Sequence, residues 1–185
     1  MRTIITTLLA FAAGAMLADD NANLIQNGTF DPDQPGWRPN ADVTLEKDGE
    51  HGGMIVLRCT PDKDVKNEQE VKRDPSWSKL KISYWANVPA MKPGTAGFHH
   101  ARFTVTMLGP NYFKKDRAPD EDKQAWHLVA GNWTEPTDGW VKVEQELEIP
   151  EPVITLRIGP GIFRAEGEMR VADLRVEAVV ADGEK

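Results

Sequence analysis

The stretch LKISYWANV, from Leu80 to Val88, decides the fold. Its apolar residues alternate strictly: Leu80, Ile82, Tyr84, Ala86 and Val88 fall on one side, with Lys81, Ser83, Trp85 and Asn87 on the other. A period of two sends successive side chains to opposite faces of an extended strand, so one face is built for burial and one for water. The pattern returns in HHARFTVTML, where Ala101, Phe103, Val105 and Met107 oppose His100, Arg102, Thr104 and Thr106. In GWVKVEQELEIP it sets Val141, Val143, Leu147 and Ile149 against Lys142, Glu144, Glu146 and Glu148. In VITLRIG it sets Ile154, Leu156 and Ile158 against Thr155 and Arg157.

Adding DVTLEK, GMIVLRCT, QAWHLVAG and MRVADLRVEAVV gives about nine strands separated by Gly, Pro, Asn and Asp. No segment carries a convincing amphipathic helical period. One apolar and one polar face per strand is the mark of antiparallel sheets packed together, so the sequence predicts an all-β antiparallel sandwich and excludes a parallel α/β architecture. The longest loops are expected at TPDKDVKNEQEVKRDPSWSK and GPNYFKKDRAPDEDKQ. Loops on a rigid sandwich are natural places for function.

Ahead of these strands, MRTIITTLLAFAAGAMLA has an early Arg2, an apolar run from Ile4 to Ala13 and small residues after it. Residues 1–18 therefore read as a signal peptide, and the protein as secreted or periplasmic with no membrane attachment after cleavage. The run is too short to span a bilayer, and no second long one follows. Residues 19–180 are expected to form one domain, about 165 residues being enough for a single core. Residues 181–185, ADGEK, read as a frayed tail.

The chain holds 29 Asp+Glu against 22 Lys+Arg, a formal net charge of −7. That balance excludes a nucleic-acid surface. The one cysteine, Cys59, has no internal disulfide partner. It shares a strand face with Ile55 and Leu57 and is expected to be a small buried residue rather than a reactive thiol.

Three segments, taken in order, resemble the carbohydrate-binding modules of the galactose-binding-like jelly-roll type, the group of cellulose-, xylan- and laminarin-binding modules found beside bacterial glycosidases. They are NLIQNGTFDPDQPGW, DGEHGGMIVLRCT and DGWVKVEQELEIPEPVITLRIGPGIFRAEGEMRVADLRVE. The resemblance implies a jelly-roll of two antiparallel sheets, one of them concave. It also implies a structural calcium ion between the first turn and the last strand, held by Thr29, Gly53 and Asp173, with Asp31 as a further carboxylate. Calcium takes six to eight oxygens, and carbonyls and carboxylates supply them. The first Asp of the family's pair is Ala172 here, and the plain alternative is that Asp173 serves backbone donors at a bulge.

A sugar offers hydroxyls around a ring with an apolar face, so its binder needs an aromatic platform beside hydrogen-bonding side chains. Trp85, on the polar side of its strand, is the first candidate. Were its strand to neighbour HHARFTVTML, it would share a concave face with His100, Arg102 and Thr104. Gln69 matches a position where the family often has glutamine, and Trp126 stands where it would line a rim. Trp85 has an equally simple reading as a packing residue, and Arg102 and Arg157 suit either an acidic polysaccharide or a solvated sheet.

These residues point to an exported, non-catalytic module that recognises a poly- or oligosaccharide. A structural sandwich that binds no sugar, or that meets another exported protein, is the alternative. A jelly-roll glycosidase or polysaccharide lyase is a third reading, although no catalytic constellation stands out. His99 and His100, being adjacent, point to opposite faces of a strand and so do not chelate one metal from it.

Overall fold

The computed structural model describes residues 22–118 and 122–180. The expected leader at 1–18, the expected start of the domain at 19 and the expected tail at 181–185 lie outside the described residues. The strands are β1 (Val43–Asp48), β2 (Gly52–Cys59), β3 (Asp64–Lys66), β4 (Gln69–Lys72), β5 (Trp77–Lys92), β6 (Ala101–Leu108), β7 (Ala125–Trp133), β8 (Val141–Glu148), β9 (Thr155–Phe163) and β10 (Glu166–Val180). A single short helix, α1 (Pro110–Phe113), follows β6.

Two antiparallel sheets form, in the orders β1-β2-β10-β5-β8 and β3-β9-β6-β7, with β4 also pairing with β9. This is the two-sheet antiparallel jelly-roll sandwich that the alternation predicts. Leu80, Ile82, Tyr84, Ala86 and Val88 of β5 are buried against Ala101, Phe103, Val105 and Met107 of β6. Tyr84 and Phe103 stack across the layers with centroids 4.3 Å apart. The Tyr84 hydroxyl donates to the Ala130 carbonyl at 3.3 Å, and burial pushes its pKa upward. Each such side chain withdrawn from water contributes about 1.5–3 kcal/mol before its entropy cost is counted.

Cys59 is buried with Ile55 and Leu57, and its thiol lies 3.2 Å from the Lys63 carbonyl, with burial raising its pKa. The structure differs from the expected loops in two places. TPDKDVKNEQEVKRDPSWSK contains β3 and β4, which are edge strands of three and four residues. Their outward charges hide the alternation of Val65, Gln69 and Val71, as is usual where an edge must resist further pairing. GPNYFKKDRAPDEDKQ begins with α1, one turn long and opened by Pro110. Val141 and Ile154, expected on buried faces, are 41% and 45% exposed because each lies at or just before the start of its strand.

The last strand is irregular. Its register against β5 shifts between Ala172 and Arg175, and Asp173 sits there at φ 48°. The bulge turns the Leu174 amide onto the Gly28 carbonyl, tying the strand to the N-terminal turn.

Candidate functional site

The outward face of the sheet β3-β9-β6-β7 is polar and open. Strand β6 contributes Arg102, Thr104 and Thr106, all partly exposed, and the paired positions of β7 contribute Asn132, Val129 and His127. Thr106 and His127 join through Oγ1 and Nδ1 at 3.3 Å, and Val129 leaves an apolar spot 42% exposed between them and Asn132. On the other flank β9 presents Thr155, Arg157, Gly159, Gly161 and Phe163 in the outward row.

The two glycines shape this row. A side chain at Gly159 would strike the Asn67 carbonyl, so the link between β3 and β4 rides over the strand there. Glu68 continues across it, its carboxylate 3.5 Å from Thr104 Oγ1. A side chain at Gly161 would come within 2.8 Å of the Phe163 ring, which folds back over that position. Glycine inside a strand marks such close approaches.

Aromatic rings stand at both ends. Phe163 carries the Arg102 guanidinium 4.3 Å from its centroid. About 20 Å away by strand geometry, Tyr112 of α1 sits with the Arg157 guanidinium 5.9 Å from its ring. Arg157 is neutralised by Glu70 at 3.0 Å, which raises its pKa. Arg102 has no hydrogen-bond or ion-pair partner among the described residues, and burial pushes its pKa down. The face can thus offer hydroxyl, amide, imidazole and guanidinium groups beside aromatic edges.

Trp85 is elsewhere. It lies on β5 in the other sheet, so it does not share a face with His100, Arg102 and Thr104; β5 pairs with β10 and β8 instead. There it packs on Met54, Val56 and Ala172 with Trp140. His51 caps it at 4.9 Å and meets Trp140 edge-on at 4.7 Å. Trp126 is opposite Met107 and packs against the core. Gln69 is buried and clamps Gln26, accepting its amide at 3.0 Å and donating to its carbonyl at 2.7 Å. His100 is buried before β6, and burial with the nearby Arg102 and His99 pushes its pKa down. Of the residues named from sequence around the ligand, Arg102, Thr104 and Arg157 are on the open face.

Beyond Trp85 along β5, a cavity of about 410 Å³ is lined by Lys81, Ser83, Glu144, Glu146, Arg175 and Glu177. Its carboxylates are engaged: Glu146 by Lys79 at 2.8 Å, Glu177 by Arg175 at 2.6 Å and Glu144 by Lys142 at 2.5 Å. It has no aromatic lining.

The expected calcium ligands come together in part. A side chain on Gly53 would meet the carbonyls of Thr29 and Phe30, and Thr29 and Asp173 line one cavity of about 310 Å³. Carbonyls beside one carboxylate are the donor type that calcium takes. Asp173 also lies 3.4 Å from His51 Nδ1. Asp31 is turned to its own loop, accepting from the Asp33 amide at 3.0 Å and from Gln34 at 3.2 Å. Among the described residues no group of three or more His, Cys, Asp and Glu is placed to hold a metal.

No family model matches the chain, and no curated protein matches it. Solved structures do. A protein described as Family 16 Carbohydrate Binding Module-2 superposes with TM-score 0.59 at 17% identity, covering 83% of this chain and 99% of that one. The CBM22-1 xylan-binding domain from Paenibacillus barcinonensis Xyn10C gives TM-score 0.55 at 13% identity, over 87% and 97%. The arabinose-bound MgGH51 α-L-arabinofuranosidase gives 0.54 at 15%, over 85% of this chain and 26% of that one. At such identities the likeness shows the fold alone, a two-sheet antiparallel jelly-roll sandwich.

Phe163, Tyr112, Asn132, Val129 and His127 were not singled out from the sequence. The signal for the first was the pair of glycines in RIGPGIF, two outward positions left without side chains inside a strand. Tyr112 reaches the face from the one-turn helix α1, too short for periodicity to place.

Proposed function

We propose that the protein is an exported, non-catalytic module that binds a polysaccharide or oligosaccharide along the outward face of β9, β6 and β7. The observation that carries this reading is the composition of that face: Thr104, Thr106, His127 and Asn132 across its middle, and Phe163 and Tyr112 at its ends. Hydroxyl, imidazole and amide groups match a sugar's equatorial edge, and aromatic rings match its C–H face. The face is long enough for a chain of sugars, and the fold it shares with carbohydrate-binding modules supports the reading.

Calcium belongs to the same proposal. Thr29, Gly53 and Asp173 would hold the ion and brace the N-terminal turn against β10, a structural part that contributes no chemistry. Export rests on the leader-like run from Ile4 to Ala13.

Affinity electrophoresis of the protein through a panel of soluble polysaccharides tests the binding. Retardation on at least one, weakened by Tyr112→Ala, is expected. Unretarded migration in every gel overturns the reading and leaves a sandwich with a structural or protein-binding role.

A further inference from the structure

We infer that the glycan is acidic and that Arg102 receives its carboxylate. The inference rests on the binding face proposed above and goes further by naming the chemical class of ligand.

Arg102 is half withdrawn from water, and its Nε is buried without a partner. Its guanidinium meets no carboxylate or carbonyl among the described residues. Three other partly buried arginines differ: Arg73 donates to the carbonyls of Pro150 and Val153, and Arg157 and Arg170 bind Glu70 and Glu168. Leaving a desolvated cation without acceptors is unfavourable, and proteins tolerate it where a ligand supplies the missing partner.

The surroundings hold the group ready. Its plane is carried on Phe163 at 4.3 Å, which leaves the N–H edge free for a planar acceptor. Gly161, paired with Arg102, adds no side chain beside it, and Asn132 on the other flank adds an amide. The acid whose charge acts on Arg102 is Asp64, which also faces Arg164 at 3.8 Å. A guanidinium fork matches a carboxylate through two parallel hydrogen bonds, the geometry of a uronic acid residue rather than of a neutral hydroxyl pair. With a net charge of −7 the chain as a whole repels polyanions, so capture of one requires a local site of this kind.

The test compares one uronic acid polymer, alginate, with the same polymer after chemical reduction of its carboxyls to alcohols, beside a neutral glucan panel. Wild type is expected to bind the parent at least tenfold more tightly than the reduced form. Arg102→Gln should erase the difference, and Arg102→Lys should restore part of it through charge without the fork. Because Arg102 leaves no hydrogen-bond or ion-pair partner behind and its contact with Phe163 is on the surface, Arg102→Gln should change Tm little, which separates a ligand role from a structural one. Equal affinity for parent and reduced polymers, or binding of neutral glucans alone, overturns the acidic assignment while the sugar-binding reading stands. Failure to bind any of these, or any glycan of the wider panel, overturns both. A parent-polymer preference that survives Arg102→Gln refutes the role of Arg102.

Discussion

The two outward faces of this sandwich have similar ingredients and opposite arrangements. On the β1-β2-β10-β5-β8 side, Trp85 and Trp140 are pressed onto Met54, Val56 and Ala172 beneath His51, and the surrounding charges pair off. On the β3-β9-β6-β7 side the aromatics stand apart at the ends of a polar strip, and the Arg102 guanidinium has no hydrogen-bond or ion-pair partner among the described residues. The difference teaches that an outward-facing tryptophan is not by itself a platform. What matters is whether its neighbours leave it a free surface, and here a turn carrying His51 takes that surface.

The largest expected effect breaks the comparison at its aromatic residues. Trp85→Ala removes the centre of a packed cluster and should cost about 3 kcal/mol, the low end for tryptophan because Trp85 is only half buried. For a domain of this size that lowers Tm by roughly 6–12 °C, while glycan retention of the folded fraction stays at the wild-type value. Phe163→Ala should do the reverse, losing retention with a smaller change in Tm. Differential scanning calorimetry beside affinity electrophoresis reads both, and a Trp85→Ala variant that keeps its Tm but loses retention would invert the assignment of faces.

Next in size is the ion at the end of β10. If calcium braces Thr29, Gly53 and Asp173, saturation near a hundred times Kd contributes about 2.7 kcal/mol. Adding EDTA should then lower Tm by several degrees, and Asp173→Asn should lower it without further response to chelator. An unchanged Tm in EDTA would refute a stabilising ion and leave Asp173 as the partner of His51.

How far the sequence reached can be judged from particular residues. The buried rows of β5 and β6 were legible because their alternation is uninterrupted and each apolar side chain has one place to go. Strands β3 and β4 were not, since short charged edges carry little apolar signal. Arg102 was legible as an outward residue, but its company was not. Alternation states which side of its own strand a residue occupies and leaves open which sheet that strand joins, so Trp85 and Arg102 looked like neighbours until the strand order separated them. The placement of Tyr112 and the unpaired state of Arg102 are tertiary facts with no local pattern.

A finer probe acts on the open face alone. Gly161→Ala places a methyl within 2.8 Å of the Phe163 ring, so the ring must swing and withdraw the surface under Arg102. Backbone strain is not involved, because Gly161 is absent from the positive-φ residues. Affinity should fall about tenfold, equivalent to about 1.4 kcal/mol, with Tm within about 2 °C of wild type. The equivalent change on the closed face, Ala172→Gly beside Trp85, should move Tm and leave affinity unchanged. Equal affinity for Gly161→Ala and wild type, measured by isothermal titration, would show that the Phe163 platform contributes nothing to binding.

The smallest effect is the pH response of the buried His100, next to Arg102 at the start of β6. Burial first, then the charge of Arg102 and that of His99, hold the His100 pKa below its ordinary value in the folded protein. The unfolded chain therefore takes up this proton more readily, so the stability linked to His100 is complete above the unfolded value near 6.5. It declines as pH falls from there toward the folded value, at no more than about 1.4 kcal/mol per pH unit. On the other sheet the partly exposed Glu46 has a pKa lowered by hydrogen bonds from Thr44 and Arg58, and it loses its contribution only at more acidic pH, below the ordinary carboxylate value. The two residues thus withdraw their stability in separate pH windows. His100→Gln should flatten the Tm profile between pH 7 and 5 without altering its acid limb. Arg102→Gln should flatten it in part, because it removes one of the charges that depress His100. A profile unchanged by both substitutions would show that His100 titrates alike in the folded and unfolded chains.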